Sequence, residues 1–245
     1  MAARVIPVDR LSTVVDTAAG VFIRHGYRRA QMQDVADELG LAKGTLYLYA
    51  GGKEALFAAA LRYADGAQTL PDTGDLPLPT PAPGELAELL TGRLAAELPD
   101  LALTRALETT SRPATPAEAA SELSGILVDL YRRLARHRVA IKLVDRCAAE
   151  LPELGSVWQD TGRGAQMSAM EAYLRDREGA GLLAVPGSLP VAARTAVELC
   201  VLWAVHCHFD ETPPRGAVVD DETVAATVAA MVARSMTVSQ PDGGS

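Results

Sequence analysis

The sequence FIRHGYRRAQMQDVADELGLAKGTLYLYAGGKEAL, residues 22–56, decides the fold of the first quarter of this 245-residue chain. Glycines divide it into short segments, and apolar residues recur every three or four positions before and within it, which predicts a series of amphipathic helices. The first helix is predicted to end near His25-Gly26, and the next three to cover Met32–Leu39, Lys43–Tyr49 and Lys53–Gly66. Two short helices joined by a glycine-containing turn are typical of a helix-turn-helix.

The third of these helices offers the side chains that a DNA recognition helix requires. In a helix-turn-helix the second helix of the pair enters the major groove while its partner crosses the backbone. The first turn, residues 43–45, supplies a cation, a glycine that allows close approach and a hydroxyl. Tyrosine hydroxyls can donate to phosphates and Leu48 can contact a thymine methyl group, whereas Leu46 is predicted to point inward. Lys53 can pair with a phosphate beside the free N–H groups of the fourth helix.

Four spaced motifs carry a resemblance to a known family: Phe22-x-x-His25-Gly26-Tyr27, Val35-Ala36-x-x-Leu39-Gly40-Leu41, Lys43-Gly44-Thr45-Leu46-Tyr47-x-Tyr49 and Lys53-Glu54-x-Leu56. Together they resemble the DNA-binding domain of the TetR/AcrR family of transcriptional regulators over about residues 10–63. The resemblance implies a homodimeric repressor whose larger C-terminal domain dimerises and binds a small inducer. It also implies DNA-facing positions at Gln31, Gln33, Lys43, Gly44, Thr45, Tyr47, Leu48, Tyr49 and Lys53.

Some positions depart from the family pattern. Gln31 stands where a threonine often caps the second helix, and Ala42 stands where serine is common. Ala50 replaces a common phenylalanine, and Gly51-Gly52 replaces a turn that carries a cap. Because a lost cap costs about 1 kcal/mol, these departures predict a loose junction between the third and fourth helices.

The rest of the chain is also predicted to be helical, with one interruption. Five prolines between residues 71 and 83 exclude a helix there and predict an exposed linker or loop at 67–84. Farther on, Thr115-Pro116-Ala117-Glu118 predicts the start of a helix that reaches Arg136, and Asp220 is a plausible cap for the last helix. The predicted fold is all-α, with flexible tails at 1–9 and 238–245, a helix-turn-helix domain at 10–66, and a ligand-binding and dimerisation domain at 67–237.

Two sets of residues in the C-terminal part are candidates for a pocket and an interface. Aromatic and methionine side chains at helical spacing could line a ligand cavity or form plain core, and they are Tyr131, Trp158, Met167, Met170 and Trp203. Residues 192–209 are apolar around almost the whole helix, which predicts burial on all sides. Together with Val224–Met236 they suit a two-fold four-helix interface through Val197, Val201, Val205, Val224, Val228 and Met231.

Composition, charge and the absence of known catalytic motifs limit the classes of function that the chain can have. The net charge is −8, but residues 1–63 carry eight basic and six acidic groups and therefore a charge of +2. No nucleophile elbow, P-loop, Rossmann glycine pattern or HExxH motif occurs, so we expect no enzyme and no cofactor. His206 and His208 lie two positions apart on a helix and cannot share one ion, so no metal is expected. The longest late charge-free run, Leu199–Phe209, is 11 residues and too short to span a membrane, which takes about 20.

These observations predict a cytoplasmic, ligand-responsive repressor. It would bind a near-palindromic double-stranded operator as a homodimer, with recognition helices about 34 Å apart, and a largely apolar small molecule would release it. The alternative is an architectural or constitutive DNA-binding helical protein without an inducer.

Overall fold

The described residues of the chain form twelve α-helices joined by turns. The computed structural model describes residues 8–66, 68–109, 111–210 and 219–238, so most of both predicted tails lies outside the described residues. The helices are α1 (Val8–His25), α2 (Met32–Glu38), α3 (Lys43–Leu46), α4 (Lys53–Tyr63), α5 (Glu85–Glu97), α6 (Ala102–Glu108), α7 (Pro116–Arg136), α8 (Arg138–Cys147), α9 (Pro152–Val157), α10 (Ala165–Gly179), α11 (Leu189–Val201) and α12 (Asp221–Ser235). The described residues contain no β-strand, and the predicted all-α fold is confirmed.

Capping side chains account for the starts of two long helices. The Thr115 hydroxyl accepts a hydrogen bond from the Glu118 N–H at 3.2 Å, and α7 then runs to Arg136 as predicted. The Asp220 carboxylate accepts from the Thr223 N–H at 2.9 Å at the start of α12. Each bond satisfies one of the N–H groups that a helix start leaves without a partner in the helix itself.

The chain divides into two compact units. The N-terminal unit contains the residues up to Arg93 together with His137–Gln159, and the C-terminal unit contains Leu94–Arg136 and the residues from Asp160 onward. This division differs from the predicted boundary at residue 66, because α8 and α9 belong to the same unit as the predicted helix-turn-helix. The predicted fourth helix also ends early, at Tyr63 rather than Gly66.

In the N-terminal unit α1 is the central helix. It packs against α2, α4 and α8, and its apolar face is buried at Val14, Ala18 and Phe22. The Phe22 ring meets the Phe57 ring of α4 edge-on, with ring centres 5.2 Å apart. Cys147 at the end of α8 is fully buried, and its thiol lies 3.9 Å from the Phe22 carbonyl oxygen.

In the C-terminal unit α7 packs against α12, α11 and α6, and α10 packs against α11 and α6. A buried ion pair lies within it: the Arg177 guanidinium, on α10, makes two bonds to the Glu122 carboxylate at 2.9 and 3.2 Å. The same carboxylate accepts from the Tyr173 hydroxyl at 2.9 Å. Burial, with help from Glu122, raises the pKa of Tyr173, so this phenol stays protonated. Such a paired and hydrogen-bonded charge can be buried without a large penalty.

The segment Leu189–Phe209, which comprises α11 and the turns that follow it, is long and apolar enough by composition to cross a membrane, with a mean hydropathy of 1.3 in its best window. In the C-terminal unit α11 packs against α10 and α7 and buries Val197 and Cys200. It also carries the ion pair of Arg194 with Glu198, at 3.7 Å. Within the unit, 39% of that apolar window is buried.

The proline-rich strap, which we define as residues 71–83, is a mostly exposed loop in which one side chain, that of Leu78, is buried. Leu78 is 8% exposed and pairs with Ala50 in an isolated parallel β-bridge. The Leu78 N–H donates to the Tyr49 carbonyl at 2.8 Å, and the Gly51 N–H donates to the Leu78 carbonyl at 2.9 Å. The strap therefore lies against the end of the helix-turn-helix, where the side chain of Leu78, between Pro77 and Pro79, is buried.

Candidate nucleic-acid interface

The α2–α3 pair has helix-turn-helix geometry. The Asp34 carboxylate accepts the Gln31 N–H at 2.8 Å, which supports the start of α2 although Gln31 replaces the usual threonine. Gly40 has φ +62° at the turn, in the left-handed region that favours glycine. The Leu41 N–H then donates to the Ala36 carbonyl at 2.8 Å and closes the end of α2.

Leu46 fixes the orientation of the recognition helix. Its side chain has no solvent exposure, as predicted, and it holds α3 against the domain. The side chains of Lys43, Tyr47 and Leu48 are exposed, the last two at 42% and 40%. Tyr47 and Leu48 are large exposed side chains near the Lys43 cation and the exposed Gly44. Together these four residues form a face that a groove of the duplex could cover.

The structure overturns the outward orientation expected for Tyr49. Its side chain is 2% exposed and packs within the domain. The helix is also shorter than predicted: α3 ends at Leu46, and tighter turns follow, in which the Tyr49 N–H donates to the Leu46 carbonyl at 2.9 Å. Because residues three apart share a face of a helical turn, the inward placement of Leu46 was itself a signal that Tyr49 points inward.

Lys53 is half-buried and ties the start of α4 to the turn after α1. Its ammonium group donates to the Tyr27 carbonyl at 3.1 Å and lies 4.7 Å from the centre of the Tyr27 ring. The Tyr27 hydroxyl lies 3.3 Å from the Glu54 carboxylate, and burial together with Glu54 raises the pKa of Tyr27 to about 12. The ammonium group also lies 3.5 Å from the Arg28 carbonyl, so Lys53 has a structural role within the domain.

The other predicted DNA-facing residues lie near this face. Gln31 and Gln33 are exposed, and the Gln33 amide donates to the Asp37 carboxylate at 2.6 Å. Thr45 is half-buried. Arg28 and Arg29 are exposed cations on the turn before α2.

Sequence reasoning missed Glu150, which lies beside the helix-turn-helix although it is more than 100 residues distant in the chain. Its carboxylate accepts the Arg28 backbone N–H and pairs with Arg146 at 3.6 Å. A Cβ added to Gly26, which has φ +79°, would lie 2.6 Å from the Glu150 carboxylate. No local pattern could reveal a contact between segments so distant in sequence.

The predicted pocket residues belong to both units. Trp158 belongs to the N-terminal unit, whereas Tyr131, Met167, Met170 and Trp203 belong to the C-terminal unit. Tyr131 and Met170 are fully buried, and Trp203 is 39% exposed. An open groove runs along α11 from Pro190 to His206, and none of the five predicted residues lines it.

The predicted interface residues separate by exposure. Val197, Val205 and Val228 are buried within the C-terminal unit, Val201 and Val224 are half-buried, and Met231 is 65% exposed. The α11 segment is not buried on all sides, since Leu202 is 43% exposed beside Trp203. Three of the five predicted valines are therefore core residues, and Met231 lies on the surface of α12.

The three cysteines are core or partly covered residues. Burial raises the pKa of the Cys147 and Cys200 thiols to about 12. Cys207 is half-buried, and its pKa is raised by burial and by the neighbouring Asp210. Among the described residues no group of three or more His, Cys, Asp or Glu side chains is placed to hold a metal ion.

The sequence of the helix-turn-helix is similar to that of known regulators. Residues 14–60 match the family model for bacterial regulatory proteins of the tetR family. An uncharacterized HTH-type transcriptional regulator of Bacillus subtilis (strain 168), YuxN, is 36% identical over 55 residues. Those residues are 22% of this chain and 19% of the length of YuxN, so the match covers only a small part of each protein.

The fold of the whole chain is similar to solved regulators. The ketosteroid transcriptional regulator KstR2 of Mycobacterium tuberculosis is 16% identical, with a TM-score of 0.57 over 97% of this chain and 99% of KstR2. A bacterial regulatory protein in the tetR family from Rhodococcus RHA1 is also 16% identical, with a TM-score of 0.55 over 94% and 99%. Residues 14–60 are thus similar to the tetR family of bacterial regulatory proteins, and the chain shares its overall fold with solved transcriptional regulators of that family.

Proposed function

We propose that the protein is a homodimeric repressor that binds a near-palindromic DNA operator and is released by a largely apolar small molecule. The observation that carries the proposal is the exposed face of Lys43, Gly44, Tyr47 and Leu48, held in place by the buried Leu46. A cation and hydroxyl suit phosphates, and an apolar side chain suits a thymine methyl group. As part of the proposal, the protein acts in the cytoplasm, where the DNA is.

Exposed apolar side chains on α11 and α12 support the homodimer. Val191, Leu202, Trp203 and Met231 are between 39% and 65% exposed, which is costly for large apolar groups in water unless a second copy covers them. A two-fold axis beside these helices gives each dimer two recognition helices. Spaced about 34 Å apart, they would enter successive major grooves on one side of the duplex.

The route by which a ligand would act lies within the N-terminal unit. There α8 packs against α1 and α4, and the Glu150 carboxylate holds the Arg28 backbone N–H. A ligand that binds more tightly to a conformer with a shifted α8 would move the helix-turn-helix with it. Such a ligand lowers operator affinity only by its difference in affinity for the two conformers. The C-terminal helices bury mainly aliphatic side chains, which supports an apolar ligand.

Selection of duplexes from a random library by the full-length protein tests operator binding. We expect enrichment of inverted repeats whose half-sites are about one helical turn apart, and an affinity that falls steeply with salt. Lys43→Ala should reduce the salt slope by about one, whereas the control Arg175→Ala, at an exposed cation on α10, should leave it unchanged. Failure to enrich any sequence would refute the proposal.

A separate experiment addresses the inducer. An apolar dye that binds saturably and displaces the selected duplex would support ligand release. Saturable binding without displacement, or no binding, would favour a constitutive DNA-binding protein instead.

A further inference from the structure

The end of the recognition helix is held by a segment that lies outside the helix-turn-helix. Residues 47–50 form tight turns after Leu46, and α4 then begins at Lys53, where the N-cap residue Gly52 has no side chain that could cap the helix. The Tyr49 carbonyl and the Gly51 N–H lie between the two helices. Each is hydrogen-bonded to the backbone of Leu78 in the proline-rich strap, at 2.8 and 2.9 Å. Backbone groups in such a turn need partners, and the strap supplies both.

Within the strap, a single residue, Leu78, makes the contact with the turn after the recognition helix. Pro77 and Pro79 have no N–H, so Leu78 is the only donor among the three, and its N–H is the one that binds Tyr49. Its side chain is 8% exposed, next to Ala50, which has no exposure. The prolines also reduce the conformational freedom of the strap before it binds, which lowers the entropic cost of ordering it.

The far end of the strap is fixed within the same unit. The Glu85 carboxylate at the start of α5 accepts the Ala82 N–H at 2.9 Å and lies 3.5 Å from the Arg62 guanidinium of α4. Arg93 of α5 donates to the Leu61 carbonyl and pairs with Asp65. The strap is therefore anchored to α4 at one end and to the recognition helix at Leu78.

We propose that the proline-rich strap positions the recognition helix on DNA, with Leu78 as the positioning residue. Tyr47 and Leu48, the exposed side chains of the candidate interface, directly precede the carbonyl that Leu78 holds. Ala50, Gly51 and Gly52 offer the turn no capping side chain, and the two backbone hydrogen bonds to Leu78 restrain it instead. The inference rests on the operator binding proposed above.

The consequence concerns sequence-specific binding above all. Contacts to base edges need a fixed recognition helix, whereas attraction between cations and phosphates tolerates a loose one. Release of the strap should therefore lower affinity for the operator and leave non-specific affinity nearly unchanged.

The test compares Leu78→Asp with the control Leu76→Asp in the full-length protein. Leu76 lies on the same strap, is half-buried, and forms neither bond of the bridge. Dissociation constants are measured at one salt concentration for the duplex selected by the wild-type protein and for a scrambled duplex of equal length. A carboxylate is unfavourable in the buried site of the Leu78 side chain, so Leu78→Asp should displace the strap together with its two backbone hydrogen bonds. We expect this displacement to weaken operator binding by about tenfold and to change binding of the scrambled duplex by less than about twofold. Leu76→Asp should keep the wild-type ratio.

Amide hydrogen exchange provides a readout of position. Exchange at residues 49–51 should accelerate in Leu78→Asp and not in Leu76→Asp, while α7 and α12 keep their protection. If Leu78→Asp does not fold, Leu78→Ala takes its place, with an expected loss of about threefold in operator affinity. The inference is overturned if the ratio of the two dissociation constants stays at its wild-type value, whether both affinities are unchanged or both fall by the same factor. A wild-type protein that selects no duplex would instead refute the proposed function.

Discussion

The contact between Glu150 and the turn after α1 can be tested by a single methyl group. Gly26 and Gly40 both have positive φ, +79° and +62°, so alanine at either position carries a similar backbone penalty of about 1 kcal/mol. At Gly40 a new Cβ meets nothing within 4 Å, whereas at Gly26 it lies 2.6 Å from the Glu150 carboxylate. Because that carboxylate is the end of a flexible side chain, it should swing away and lose its bond to the Arg28 N–H.

We therefore expect Gly40→Ala to lower the free energy of unfolding by about 1 kcal/mol and Gly26→Ala to lower it by about 2–3 kcal/mol, the excess being the lost charged hydrogen bond. Urea denaturation followed by circular dichroism, at one protein concentration, measures both variants. In a Glu150→Ala background the cost of Gly26→Ala should fall to about 1 kcal/mol. There is then no bond to break, and only the flexible end of the Arg146 side chain, 3.0 Å from the new Cβ, must still move aside. Equal costs for the two glycines in the wild-type background, or an unchanged cost at Gly26 without Glu150, would refute the contact.

Three further predictions follow from burial. Tyr49→Ala should lower the free energy of unfolding by about 3 kcal/mol because its ring is buried. Tyr47→Ala should change the free energy of unfolding by less than about 0.5 kcal/mol and should weaken DNA binding. Thermal melts in which Tyr47→Ala is the less stable variant, or gel shifts in which it binds DNA like the wild-type protein, would contradict the orientation of this turn. Trp203→Asp, at an exposed apolar position, should dissociate the proposed homodimer. An unchanged size-exclusion volume of a dimeric protein would place the interface elsewhere. At pH 8 Cys207 should be alkylated faster than Cys147, whose pKa of about 12 leaves almost no thiolate; the opposite order, by mass spectrometry, would show that α8 is not packed as described.

The sequence predicted the local features of the fold well, because they depend on neighbouring residues. The caps at Thr115 and Asp220, the inward position of Leu46 and the exposure of Tyr47 and Leu48 are all present in the structure.

Features that depend on distant contacts could not be predicted. Five prolines indicated correctly that residues 71–83 are not a helix, but nothing local showed that Leu78 would bind beside Ala50. The apolar circumference of α11 indicated burial on all sides, yet Trp203 and Leu202 are exposed because packing by α7 and α10 covers only part of the helix. Periodicity shows that a face is apolar, and only the tertiary structure shows which neighbour covers it.

Protection of one introduced thiol tests most directly whether the face of α3 and its following turn binds DNA. Leu48→Cys places a reactive group on that face, and Ser121→Cys places a control on an exposed position of α7. The alkylation rate of each variant is measured with and without the duplex that the wild-type protein selects. The account predicts that the duplex slows alkylation at residue 48 and leaves the rate at residue 121 unchanged. Equal rates at residue 48 with the duplex bound and absent would contradict it.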